Sequence, residues 1–193
     1  MTAFHETPST GPCADLAAQF QALVPVLETD RLVLRAPRIE DFGTFADAVL
    51  SKRGHFFGHP QNREDAWYEF IQLNVTWMLR GHGAWTVTDR ASGAPLGFVH
   101  IGAEPGDMEA ELGYVMTADA EGKSIAYEAC VAVRDYAYDG LGFTTLVSCV
   151  DPGNARSAAL ATRLGAARDP HAEAMFDDGP NHIYRHIKPG GPQ

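Results

Sequence analysis

One carboxylate sits inside an otherwise apolar, alternating stretch. In residues 110–116, Ala110, Leu112, Tyr114 and Met116 point one way and Glu111, Gly113 and Val115 the other, the period of a β-strand. Burial raises the pKa of such a carboxylate toward the range where it can take a proton at neutral pH. The bland alternative is a structural group bound to backbone or to an arginine such as Arg35. Just downstream, Gly122-Lys123-Ser124 opens a run with helical spacing, Ile125, Ala129 and Val133, which ends at Gly140, a residue suited to the left-handed position past a helix. The first N–H groups of a helix lack intrahelical partners and sit at the positive end of its dipole, so this turn is a candidate phosphate site. It could equally be a plain tight turn. Farther on, Asn154 is of a type that caps a helix, and Ser157 lies one turn later on the same side.

Elements must position these groups, and the pattern of the chain supplies an α/β layer. Residues 1–24 read as an N-terminal arm in which Leu16, Phe20 and Leu23 predict a helical turn or two packed on the domain. Residues 26–36 alternate as one first strand, ended by Pro37. Ile39, Phe42, Phe45, Ala46 and Val49 then predict a helix. The aromatic loop Gly54-His55-Phe56-Phe57-Gly58-His59-Pro60 is either a wall of a substrate pocket or an anchor into the core. Asn62 and Asp65 form a capping pattern for a helix whose buried stripe is expected to be Trp67, Phe70, Ile71 and Val75. Residues 84–88 and 95–102 read as a hairpin, 143–150 as a strand, 154–165 as a helix, and 174–176 with 182–187 as a final hairpin. The expectation is one domain over residues 25–188 with a tail at 189–193.

Composition narrows the classes. The chain has 193 residues, 45% of them apolar, enough for one real core. No stretch approaches the roughly 20 apolar residues that span a bilayer, and the start lacks a basic and apolar leader, so a cytoplasmic protein without a membrane role is expected. Cys13, Cys130 and Cys149 form no C-x-x-C pair and suggest neither a disulfide framework nor a zinc knuckle; the last two read as small core residues. His182 and His186 on a strand would lie about 13 Å apart, too far to share an ion, and no metal is expected. A net charge of −10, from 25 acidic and 15 basic residues, argues against nucleic acid and fits an amine-bearing partner, or solubility alone.

Four segments taken in order carry a resemblance. The opening ETDRLVLRAPRIEDF, the strand AELGYVM, the helix start GKSIAYEAC and the stretch DPGNARSAALATRLGA are similar to the GNAT superfamily of N-acetyltransferases, in particular its ribosomal-protein N-terminal acetyltransferase branch, over residues 27–188. The resemblance implies a mixed, centrally splayed β-sheet flanked by helices, with acetyl-coenzyme A as cosubstrate in the cleft between the strand ending at Met116 and the strand of residues 143–150. It implies that the backbone at Val115, Met116 and Thr117 pairs with the pantetheine arm, and that the turn Glu121, Gly122, Lys123, Ser124, Ile125 and Ala126 holds the pyrophosphate. Asn154 would steady the pantetheine end, and Arg163 would lie near the nucleotide phosphates.

The turn departs from the family pattern Q/R-x-x-G-x-G/A at two places. Glu121 stands first, and a carboxylate about 7 Å from a phosphate costs on the order of 2 kcal/mol at an effective dielectric near 20, which Lys123 would offset. Ser124 replaces the main glycine, and fits if its φ is not positive. The family's proton-donating tyrosine on the last helix has no counterpart in residues 154–165. That leaves Ser157 to protonate the departing thiolate or hydrogen-bond its sulfur, unless it only caps its helix. Glu111 matches the strand glutamate that is general base in several members, with His100 ranked below it. A backbone N–H near Val115 would polarise the thioester carbonyl, and Trp85 and Tyr114 belong to the acceptor pocket or to the core. The implied function is acetyl transfer to a primary amine, a protein N-terminus or a small amine, in a ternary complex; the alternative is a non-catalytic acyl-coenzyme A sensor. Loops at 55–61 and 176–181 would select the acceptor, and the chain would act as a monomer or as a homodimer through an edge strand near its C-terminus.

Overall fold

In a computed structural model that describes residues 3–52, 54–58, 60–175, 181–188 and 190, eight strands form one sheet. They are β1 (Leu27–Glu28), β2 (Leu32–Arg35), β3 (Ala84–Asp89), β4 (Pro95–Gly102), β5 (Glu111–Met116), β6 (Val147–Val150), β7 (Ala167–Arg168) and β8 (His182–Arg185). The helices are α1 (Pro12–Leu23), α2 (Phe42–Val49), α3 (Arg63–Arg80), α4 (Ile125–Asp139), α5 (Ala155–Arg163) and α6 (Pro170–Met175). Strand order is β1-β2-β3-β4-β5-β6-β8-β7, antiparallel except where β5 meets β6 in parallel. This is the mixed, open sheet flanked by helices that the pattern predicts. Among the described residues no helix is long and apolar enough to cross a membrane.

The period of two sorts each central strand into two cores. On one face Trp85, Val99, Ile101 and Leu112 pack with Ile125, Ala129 and Val133 of α4. On the other, Phe98 and Val115 pack with Phe42 and Phe45 of α2 and Phe70 of α3. Truncating one of these buried rings costs roughly 3–5 kcal/mol. The site lies where the two halves of the sheet separate. Only Glu111 and Val147 are in register between β5 and β6, with the Val147 N–H donating to the Ala110 carbonyl at 3.0 Å. Beyond that rung the strands diverge.

Several boundaries differ from expectation, each for a local reason. Residues 26–36 are two strands, because Thr29 closes a turn: its N–H donates to the Leu32 carbonyl and its Oγ1 accepts from the Leu32 N–H, both at 3.0 Å. The arm forms a three-turn helix, α1, none of whose residues is buried. The inward line of α3 is Ala66, Phe70 and Leu73, whereas Ile71 and Val75 are 41% and 37% exposed. Gly140 is right-handed; the left-handed glycine is Gly142, and Gly140 is small because an added Cβ would meet the Tyr136 ring at 2.3 Å. The strand expected from residue 143 begins only at Val147. Ala174 lies in α6, started by Asp169, whose carboxylate accepts from the His171 and Ala172 N–H groups with Pro170 at the first helical position. β8 therefore pairs with β7, and β7 is the edge. Phe176 and the turn after it, His59, and most of the tail lie outside the described residues.

Candidate functional site

The divergence of β5 and β6 has a visible cause. The next parallel rung would join the Cys149 N–H to the Leu112 carbonyl. Instead the Cys149 N–H donates to Glu111 Oε1 at 3.0 Å, and Ser148 Oγ donates to the Leu112 carbonyl at 2.7 Å. Two side chains thus replace the ladder and hold a wedge open. Burial pushes the Glu111 carboxyl up to about 7; the Cys149 amide works against that shift, and the nearby carboxylates Asp107 and Glu104 add to it. Arg35, the structural partner considered for Glu111, is spent on Asp41 at 2.7 Å.

The wedge opens into a cavity of about 650 Å³. Its walls bring together Glu111, Val115 and Met116 from β5, then Glu121, Gly122, Ser124, Ile125 and Ala126 at the start of α4, and finally Asn154, Ser157 and Arg163 of α5 and its cap. Thr117 and Lys123 are not on this wall. The Thr117 N–H and Oγ1 both donate to the Leu96 carbonyl, at 2.9 and 3.1 Å, and Lys123 is exposed with its carbonyl accepting from Arg31. Because backbone direction alternates along a strand, Val115 also faces β4, and the groups that face the wedge are those of Tyr114 and Met116. The backbone expected to serve the site at Val115 and Thr117 is therefore shifted by one residue.

The turn before α4 shows how its two unusual residues fit. Ser124 is left-handed (φ 59°, ψ 21°), the one positive-φ residue other than glycine among the described residues, and makes no side-chain cap. The condition set for a serine there is not met, so it carries a backbone cost that glycine would avoid. The first-turn N–H groups of α4 remain without intrahelical partners and reach the cavity. Glu121 does not rely on Lys123: Arg156 of α5 pairs with it at 2.6 Å, tying the turn to the facing helix.

On α5, the Asn154 carboxamide accepts from the Ser157 N–H at 3.2 Å and caps the helix. Ser157 Oγ meets the Tyr114 hydroxyl at 2.9 Å. Burial raises the Tyr114 phenol above its usual value, so it stays protonated at neutral pH. Arg163 stacks its guanidinium 4.7 Å from the centre of the Tyr127 ring. Tyr114 thus belongs to the cavity, while Trp85 belongs to the core, its indole N–H bound to the Pro25 carbonyl at 2.8 Å.

Comparison with known proteins decides the family. The model of the acetyltransferase (GNAT) domain matches residues 31–167. The chain belongs to the GNAT acetyltransferase family. It is similar to an acetyltransferase from Agrobacterium tumefaciens C58, with 36% identity, a TM-score of 0.80, and 86% of this chain and 95% of that one covered. A Bacillus subtilis 168 protein, YkkB, is 28% identical over 149 residues, 72% of this chain and 83% of its own length. The microcin C7 self-immunity acetyltransferase MccE, crystallised with acetyl-coenzyme A and AMP, shares the fold at a TM-score of 0.64 and 18% identity, covering 82% of this chain and 93% of that one.

Acetyl-coenzyme A is the cosubstrate of the GNAT fold, and this chain's own features suit that molecule. An uncapped helix start at one end suits a diphosphate, and a strand edge without a partner among the described residues at Tyr114 and Met116 suits an extended amide-bearing arm. The other half of the cavity, on the α2 and α3 side of this GNAT sheet, is lined by Phe56, Phe57, Glu69 and His100. Of the aromatic loop, Phe57 packs on Phe45 and lies 5.5 Å from the His100 ring, and it also lines the cavity. Burial and the neighbouring His82 push His100 down to about 4, leaving it neutral. Cys149 is half-buried at the wedge, not in the core, whereas Cys130 is fully buried.

Sequence reasoning missed Glu69 and Arg156, and left Tyr114 between pocket and core. Glu69 is signalled by nothing local, since it lies on α3 outside the expected stripe of Trp67, Phe70, Ile71 and Val75. Arg156 adjoins Ser157 in a quoted segment, but its partner is 35 residues away.

Proposed function

We propose that this protein moves acetyl from acetyl-coenzyme A to a primary amine by direct attack while both are bound. The Glu111 carboxylate in the wedge supports this reading most: its pKa lies near 7, and it stands where the cosubstrate half of the cavity meets an acidic half. Bound acetyl-coenzyme A supplies an activated acetyl group. Glu111 takes the proton that the attacking nitrogen gives up, directly or through water. The Tyr114 or Met116 amide donates to the thioester carbonyl oxygen as that oxygen gains charge. Ser157 Oγ, held by Tyr114, gives a proton to the sulfur as it leaves and regains one from the phenol across the 2.9 Å hydrogen bond. Glu111 then gives its proton to solvent and the Tyr114 phenolate takes one from solvent, so the proton lost by nitrogen balances the one gained by sulfur and both groups return to their starting states.

In this reading the N–H groups of residues 122–126 and the Arg163 side chain hold the phosphates, and Asn154 keeps Ser157 in place by capping its helix. The catalytic unit spans residues 25–188, with α1 as an arm outside it. The test pairs calorimetry of coenzyme A with a thiol-release assay over a panel of amines. Coenzyme A release that requires a primary amine is expected. Tight binding without release under any acceptor would make the protein an acyl-coenzyme A sensor instead.

A further inference from the structure

The acceptor half of the cavity is segregated by charge. Its described lining includes Glu69, Glu104, Asp107 and Glu111, while the arginines on the same wall, Arg156 and Arg163, both lie on α5 at the phosphate end. Several buried or half-buried acids elsewhere in the fold are matched by an arginine: Asp41 by Arg35, Glu109 by Arg185, Glu128 by Arg31 and Glu173 by Arg168. Glu69 is not. Its carboxylate lies against Gly58, where an added Cβ would come within 3.1 Å, and its charged neighbour is Glu104, of the same sign. Burial and that neighbour push Glu69 up to about 7.

A second observation points the same way. The His100 imidazole, 8% exposed and pressed against Gly113, lines this half of the cavity, and its Nδ1 has no hydrogen-bond partner among the described residues. A half-buried carboxylate without a counter-ion and a buried imidazole nitrogen without a partner, both among the described residues, are costly and are relieved by a ligand that brings positive charge and N–H donors. Phe56 and Phe57 give the same half an apolar wall suited to methylene groups.

We propose that the acceptor is a small α,ω-diamine, with one amine at Glu111 for acetylation, its alkyl chain along Phe56 and Phe57, and its distal ammonium held by Glu69. This rests on the amine-acetylation reading above and names the substrate class for it. A monoamine of the same length would leave Glu69 unpaired and place a methyl group beside it, and sites built around a polar partner reject analogues that lack it far more strongly than they sense one methylene. The protein's net charge of −10 adds long-range attraction for a dication.

The experiment measures coenzyme A release with α,ω-diaminoalkanes against 1-aminoalkanes of matched chain length, for wild type and Glu69→Gln. Wild type should favour the diamines in kcat/KM by about tenfold or more, mainly through KM, and the ratio should fall toward one in Glu69→Gln. A purely structural role for Glu69 would lower both series together and leave the ratio intact. Equal rates for the two series in wild type, an unchanged ratio in the variant, or a peptide N-terminus that outcompetes the diamines overturns the inference while leaving amine acetylation standing. No release with any amine overturns both. Should Glu69→Gln fail to fold, salt replaces it: the wild-type ratio should fall at high ionic strength, and a ratio indifferent to salt contradicts the proposal.

Discussion

Glu111 is a structural group and, in the proposed reaction, a chemical one as well. It replaces a rung of the sheet by accepting from Cys149, and in the proposed reaction the wedge it holds open is where its carboxylate meets the acceptor. Glu111→Gln retains an oxygen for that N–H, so coenzyme A affinity should stay within about twofold while turnover falls by on the order of 10²–10⁴. The limb of kcat/KM that rises through about pH 7 in wild type should vanish. Stability carries a second signature. A carboxyl raised from 4.5 to about 7 in the folded state contributes stability that is complete below pH 4.5 and is lost as pH rises through 7. Glu111→Gln should therefore gain on wild type between pH 5 and 8 by on the order of 2 kcal/mol. His100 and His186, both lowered to about 4, act with the opposite sign between pH 6.5 and 4, so the difference between variant and parent is the quantity to measure in chemical denaturation. Alternation alone made Glu111 legible in the sequence. The left-handed Ser124 was not, because its conformation is imposed by the turn that Arg31 and Arg156 brace from other parts of the chain.

At the level of elements, the turn before α4 and α5 form one unit across the cleft. Arg156 and Glu121 are largely exposed, so the pair itself adds little to stability, typically 0–1 kcal/mol. Its consequence is electrostatic: with Arg156 in place the Glu121 charge is matched before any diphosphate arrives. Arg156→Ala should leave the melting temperature within a few degrees yet weaken coenzyme A binding up to about thirtyfold, the effect of roughly 2 kcal/mol. Adding Glu121→Gln to that variant should restore most of the affinity in calorimetry; no recovery would mean that Arg156 acts on the ligand directly. Caps and turns were the most readable elements. Asn62 and Asn154 cap as their types suggest, accepting from Asp65 and Ser157. The errors came where tertiary packing overrode pattern: α3 turns a different stripe inward, and residues 170–175 form a helix behind an Asp-Pro cap that a strand reading passed over.

Over the whole molecule, the fold was legible because strand and helix periods, taken in order, leave few ways to close an α/β layer. The site was legible only in part. Its backbone turn and caps are local, but the contacts that define it join residues far apart in sequence: Tyr114 with Ser157 across 43 positions, Glu111 with Cys149 across 38 and Glu121 with Arg156 across 35. No spacing rule encodes such meetings, and Glu69, which adds to the acidic half of the cavity, comes from a helix on the opposite face of the sheet from α4. The most direct measurement is a crystal structure with coenzyme A bound. It should show the diphosphate on the amides of residues 122–126, the pantetheine arm bonded to Tyr114 and Met116, and the sulfur beside Ser157 Oγ. Coenzyme A bound outside the wedge between β5 and β6, or a wedge closed by continued strand pairing, would contradict the assignment.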